Sequence, residues 1–146
     1  MKSKLLLVSA ASPHPVVTDG CSRLVSNYQT HLFADYEVYF LHANPGDWTP
    51  CALYRDGGPL AAELTGAALL ARGFELVYFI GFKDHEVTRA LAASLPSFCL
   101  TDTYPHPDLP AGLFRGILSH RGSGVPHPDL LLVGGSYDER TFFRDR

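Results

Sequence analysis

Apolar residues along this chain fall into short unbroken blocks rather than alternating with polar ones. Five blocks stand out: Lys4 to Ser9, Glu37 to His42, Glu75 to Phe82, Ser97 to Thr101 and Asp129 to Gly134. Each has the length and the aliphatic and aromatic content of a strand. The runs "KLLLVS", "ELVYFIGF" and "DLLLVGG" are apolar throughout. A strand with one wetted face alternates, whereas a strand covered on both faces does not. The blocks therefore predict a mostly parallel sheet with helices on both sides.

Helical periodicity fills the intervals. Between Gly20 and Ala34, Leu24, Tyr28 and Leu32 recur at every fourth position with Val25 beside them, which makes one apolar stripe. Pro59 to Arg72 is rich in alanine and leucine, with Gly57 and Gly58 before it and Gly73 after it as a stop signal. In "KDHEVTRALAASLP" the pattern predicts Asp84 as N-cap, Val87, Ala90, Leu91 and Leu95 on one side, and an end at Pro96. Weaker helical segments run from Ala111 to Ser119 and from Tyr137 onward. Strand and helix in alternation imply right-handed crossover units, hence an α/β fold: a Rossmann-like, doubly wound, mostly parallel sheet of about five strands. The connections Ala43 to Gly58 and Asp102 to Ala111 exceed the usual few residues and are expected to be loops at strand carboxyl ends, where such sheets bind ligands.

Composition narrows the functional classes. A chain of 146 residues has the size of one domain, so residues 1–146 are read as a single unit able to bury roughly 70% of its unfolded surface. Hydrophobic content of 46%, charged content of 18% and a net charge of -3 describe an ordinary globular chain with no basic field, so nucleic acid is not an expected partner. No apolar run approaches the roughly 20 residues of a membrane span, and "MKSKLLLVSAASP" is too short and proline-bound for a signal segment. A cytoplasmic location is expected, with peripheral contact as the one membrane role left open. Cys21, Cys51 and Cys99 are widely spaced and lack a CxxC, so they read as packing residues or free thiols.

The phosphate-binding and catalytic signatures that such sheets carry are missing. There is no GxxxxGK[ST], no GxGxxG after the first strand, no GxSxG, and no aspartate closing "GFELVYFIG" as a phospho-acceptor. The histidines stand singly, without HxH or HExxH, so neither a metal nor another cofactor is expected. What remains is a set of polar residues at predicted strand carboxyl ends: Ser9 and His14, His42 and Asn44, Lys83 with Asp84 and His85, Asp102 with Tyr104 and His106, and Ser136 with Tyr137 and Asp138. His14 and Asp102 are the candidate catalytic pair, the carboxylate fixing the imidazole as a general base. The plainer alternative is a loop histidine with no partner. His42, ending an apolar run, also reads as a structural residue, His85 is assigned no role, and Trp48 with Tyr39, Phe40, Tyr78, Phe79 and Phe82 reads as packing.

With the strands placed, "KLLLVSAASPHPVVTDGCSRLVSNYQTHLFADYEVYFLHA" resembles the opening of the GT-B glycosyltransferases, in particular the large retaining group. Their N-terminal domains begin with a strand, a proline-containing loop, glycine, and a helix carrying arginine. "GFELVYFIG", "PSFCLTDTYP" and "PDLLLVGGSYDERTFFRDR" extend the likeness more loosely. The resemblance implies an N-terminal, acceptor-side half of a two-domain enzyme that moves a sugar from a nucleotide-sugar donor to a hydroxyl on a sugar or lipid-linked acceptor, in glycan or glycolipid biosynthesis. It implies that Gly20 and the following helix start face donor phosphate and that His14 faces the acceptor. Ser9, Asp19, Gly20, Arg23, His42, His106 and Ser136 would bind substrate, and a C-terminal domain would be the partner. The chain departs from the family in having Cys21 after Gly20, where a second glycine is common. Two other readings stand beside this one. The first is a free-standing, non-catalytic α/β domain that binds a small anion or a protein, and the second is a small hydrolase using Asp102 with His14 or His106.

Overall fold

Lys4–Ser9 forms strand β1, and hydrogen bonding along both of its edges makes it the axis on which the sheet is built. The structure is a computed structural model that describes residues 2–10, 35–55, 58–101, 112–119 and 130–132. Its further elements are β2 (Glu37–Ala43), β3 (Pro50–Arg55), β4 (Gly58–Leu60), α1 (Gly66–Leu70), β5 (Leu76–Ile80), α2 (Glu86–Ser94), β6 (Ser97–Thr101), β7 (Gly116–Ser119) and β8 (Leu130–Leu132). They form one sheet in the order β4-β3-β2-β1-β5-β6-β7-β8. Pairings from β2 through β1 to β8 are parallel, while β3 and β4 add an antiparallel edge. The fold is an α/β fold with a mixed sheet.

The sheet is larger than the expected five strands, and each addition has a local cause. Ala43 to Gly58 is not a long loop: the chain turns back at Asn44–Thr49 and runs as β3 beside β2, with Leu53 buried opposite Leu41. Pro59 belongs to β4 rather than to a helix, on the outermost strand, where its missing N–H costs no ladder bond. The helix expected over Pro59 to Arg72 shrinks to α1, because the Thr65 side chain accepts from the Ala68 N–H at 3.1 Å and starts the helix there. Ala111 to Ser119 was expected to be helical, yet Gly116–Ser119 pairs with β6 as β7. The helices expected over Gly20 to Ala34 and from Tyr137 lie outside the described residues.

Pleating sends consecutive residues to opposite faces, and both faces are covered, which is why the blocks read as unbroken apolar runs. One face carries Leu6, Val8, Leu41, Val77, Phe79 and Cys99, packed with Leu69 of α1 and Val87 and Leu91 of α2. The other carries Leu5, Leu7, Phe40, Tyr78, Ile80 and Leu100. Each leucine of β1 is fully buried and contributes about 1.5–3 kcal/mol through apolar area removed from water. The two helices touch closely at Gly66, where a Cβ would stand 3.2 Å from that of Ala90. Ala90, expected on the buried stripe, is half-buried at this contact, and the buried residues of α2 are Val87, Thr88, Leu91 and Ala92.

The N-cap of α2 is His85 rather than Asp84. The Val87 N–H donates to His85 Nδ1 at 3.1 Å and the His85 N–H donates to Thr88 Oγ1 at 3.0 Å. Asp84 is drawn away into a two-bond pair with Arg89, at 2.8 and 2.7 Å. At the amino edge of the sheet, the Arg55 guanidinium pairs with Glu37 and lies 5.2 Å from the centre of the Tyr39 ring, while Lys4 Nζ donates to the Arg72 carbonyl at 3.1 Å. Arg55 thus ties β3 to β2, and Lys4, whose Nζ also stands 5.9 Å from the centre of the Tyr39 ring, ties β1 to β2 at the end away from the candidate site.

Candidate functional site at the carboxyl edge

β1 leads toward β2 on one side, and β5 leads through α2 to β6 on the other, so the direction of winding reverses between β1 and β5. In open α/β sheets, ligands bind in the crevice outside the strand carboxyl ends at such a reversal. Here that edge is marked by one row in register, Ala52, His42, Ser9, Ile80 and Leu100 on β3, β2, β1, β5 and β6.

Two of the expected site residues meet in this row. Ser9 and His42 are register partners on adjacent parallel strands, so they share a face with the second core cluster and their backbones lie about 4.8 Å apart. Ser9 is buried, whereas the His42 imidazole is half-buried and stacks on Phe40, with ring centres 6.4 Å apart and planes inclined at 28°. The pair therefore combines a buried hydroxyl and a half-buried imidazole, each of a type able to donate and accept, at the carboxyl edge of the sheet. His14, Asp19, Gly20, Arg23, Asp102, His106 and Ser136 lie outside the described residues, and the expected pairing of His14 with Asp102 lies there with them.

On the opposite face the edge is built by two loops, which carry Asn44 and Lys83 of the expected polar set together with Trp48, a residue that reads in sequence as packing. In the β2–β3 turn, the Asn44 N–H donates to the Thr49 carbonyl and the Trp48 N–H to the Asn44 carbonyl, both at 2.8 Å. Asn44 Oδ1 accepts from the Gly46 N–H at 2.8 Å, and Asp47 Oδ1 from the Thr49 N–H at 3.0 Å. Hydrogen bonds from the Thr49 side chain and backbone hold the Asp47 carboxyl below its ordinary pKa of 3.8. Trp48 takes a left-handed φ of 61°. For a bulky side chain that conformation costs of order 1–3 kcal/mol and persists only where its surroundings over-determine it. The indole is 8% exposed and belongs to the core cluster on the α1–α2 face.

The second loop leaves β5 through Gly81, whose φ of +77° also lies in the left-handed region. A Cβ on Gly81 would stand 3.3 Å from Trp48 Cζ2 and 3.4 Å from Cη2, so the bare glycine lets the indole seat against the backbone. Lys83 Nζ then donates to the Gly46 carbonyl at 2.7 Å, and Thr88 Oγ1, buried in α2, reaches the Lys83 carbonyl at 2.9 Å. The edge thus has a polar row, Ser9 and His42, on one side and a fixed rim on the other. Among the described residues no group of three or more His, Cys, Asp or Glu side chains is placed to hold a metal ion.

These features define an α/β protein with a mixed sheet and a candidate ligand edge at a winding reversal. Comparison with family models, with curated proteins and with solved structures returned no match. Among the described residues no helix is long and apolar enough to cross a membrane.

Proposed function

We propose that this chain is the N-terminal, acceptor-side half of a GT-B glycosyltransferase that moves a sugar from a nucleotide-sugar to a hydroxyl acceptor. The observation that carries the reading is the reversal of winding between β1 and β5. β1, which opens the segment with the strongest likeness to that family, ends at this point with Ser9. The doubly wound arrangement belongs to the same proposal. Right-handed crossovers that step in opposite directions put their connections on opposite faces, and the second face is buried although neither α1 nor α2 packs on it. In the reaction, Ser9 and His42 would orient the acceptor hydroxyl. The low-dielectric crevice between this half and a second domain would hold the charge that develops on the departing nucleoside diphosphate.

The test is made on the native protein. An antibody to this domain should recover, from the cells that make it, a chain of roughly two to three times 16.0 kDa, as a two-domain enzyme requires. The immunoprecipitate should transfer label from one member of a nucleotide-sugar panel to a sugar or lipid-linked acceptor. Recovery of a 16.0 kDa species that binds small anions or a protein and transfers nothing would overturn the reading in favour of a free-standing binding domain.

A further inference from the structure

Trp48 has no evident reason to be where it is if the β2–β3 turn only reverses the chain. Where a turn takes a positive φ, as this one does at residue 48, glycine or asparagine adopts it with little strain. Here an aromatic side chain is held at φ 61° instead, and its ring is buried. What the ring gains is reach. β2 and β5 are not neighbours, since β1 lies between them. Yet the indole of the β2–β3 turn seats on Gly81 after β5, and Lys83 after β5 donates back to Gly46 in the turn at 2.7 Å. The two contacts run in opposite directions across the end of β1. Ala10, the residue after β1, packs against the same core cluster as Trp48 and Phe82.

We propose that Trp48 and Lys83 are positioning residues that join the β2–β3 turn and the β5–α2 loop into one wall across the end of β1, against which the acceptor is held beside Ser9 and His42. The identity of that ligand rests on the glycosyl-transfer reading. The wall stands on the α1–α2 face of the sheet edge and the Ser9–His42 row on the other, with Ser9 buried, so a ligand at the edge would meet the backbone surface on one side and the half-buried His42 imidazole on the other. The polar side chains of the turn are engaged in holding it: Asn44 and Asp47 accept from Gly46 and Thr49, and Lys83 spans the gap. The wall therefore acts by shape and place, and its residues do no chemistry.

The experiment compares Lys83→Met and Lys83→Arg with the wild type in the full chain. Lys83 is exposed, so both variants fold. Hydrogen exchange at the Gly46 and Trp48 amides should quicken in Lys83→Met and return toward wild type in Lys83→Arg. In the transfer assay the KM for acceptor should rise roughly tenfold in Lys83→Met with kcat within about twofold, the signature of lost positioning rather than lost fold. Unchanged exchange would overturn the wall. Faster exchange with KM unmoved, or with kcat falling in step with the folded fraction, would leave a structural brace and overturn the positioning role. A wild-type enzyme that transfers no sugar to any acceptor would refute the glycosyl-transfer reading separately; the acceptor assignment would fall with it, and the exchange measurement would still decide the wall.

Discussion

Gly81→Ala tests the seat of Trp48 most directly, because two separable costs meet at that position. The first is conformational: alanine held at a φ of +77° pays about 1–2 kcal/mol for the left-handed region, less about 0.4–1 kcal/mol recovered by restricting the unfolded chain. That leaves about 1 kcal/mol. The second is steric: the new methyl would stand 3.3 and 3.4 Å from two indole carbons of a ring already locked in the core, which adds about 1 kcal/mol at the low end of overpacking costs. Gly73 supplies the control. It has a φ of +80°, but a methyl added there would meet nothing within 4 Å, so Gly73→Ala should lose only the first cost, about 1 kcal/mol. Urea unfolding of the two variants should give a destabilisation of about 2 kcal/mol for Gly81→Ala against about 1 kcal/mol for Gly73→Ala. Trp48 is the only tryptophan in the chain, so its emission should move in the folded Gly81→Ala protein and stay still in Gly73→Ala. Equal destabilisation with unmoved emission in both variants would refute the seating of the indole on Gly81.

Other outcomes follow from single groups. Thr88→Val keeps shape in the core but strands the His85 N–H and the Lys83 carbonyl, so it should destabilise by about 1–3 kcal/mol in the same urea assay, and a neutral result would remove Thr88 from the cap. In a Cys21→Ser background, one thiol should react quickly with a disulfide reagent at about pH 8 and one only after unfolding: Cys51 is exposed, whereas burial pushes the Cys99 thiol up to about 12. Two fast thiols would contradict the burial of Cys99. Because folding lowers the pKa of Asp47, its contribution to the turn is complete above pH 3.8 and is lost as pH falls through the lower folded value. The Thr49 amide resonance should therefore titrate with a midpoint below 3.8, and Asp47→Asn should abolish that titration; a midpoint at or above 3.8 would count against the hydrogen bond.

The candidate site was partly legible. Ser9 and His42 were recognisable as residues ending apolar runs, because a parallel strand buried on both faces stops being apolar where it emerges from the core. That they stand side by side on one face depends on register, which is set by pairing between segments far apart in the chain. Trp48 reads as packing from its residue type, and it is buried, but no local signal distinguishes a tryptophan at ordinary φ from one held at 61°. The contact that holds it there comes from Gly81, after a different strand.

The same division runs through the fold. Local pattern was enough for the central strands, since "KLLLVS" and "SFCLT" carry enough apolar surface to be strands in any arrangement that buries them, and both run from the first to the last residue of their blocks. It was enough, too, for the end of α2 before Pro96 and for the class of the fold. Some of what was missed had a signal: Asp56-Gly57 between "PCALYR" and "GPL" is the turn chemistry of a hairpin, and it announces the antiparallel edge. The rest depends on contacts between distant segments. "GILS" suits a helix as well as a strand until β6 offers its free edge, and a run of four residues cannot settle the matter because its hydrogen bonds are made to another segment. His85 displaced Asp84 as the cap of α2 for a similar reason, since Arg89 competes for the carboxylate from one turn along the helix. Apolar pattern is a property of the segment that carries it, whereas register, edge pairing and the strain at Trp48 are properties of the neighbours each segment meets.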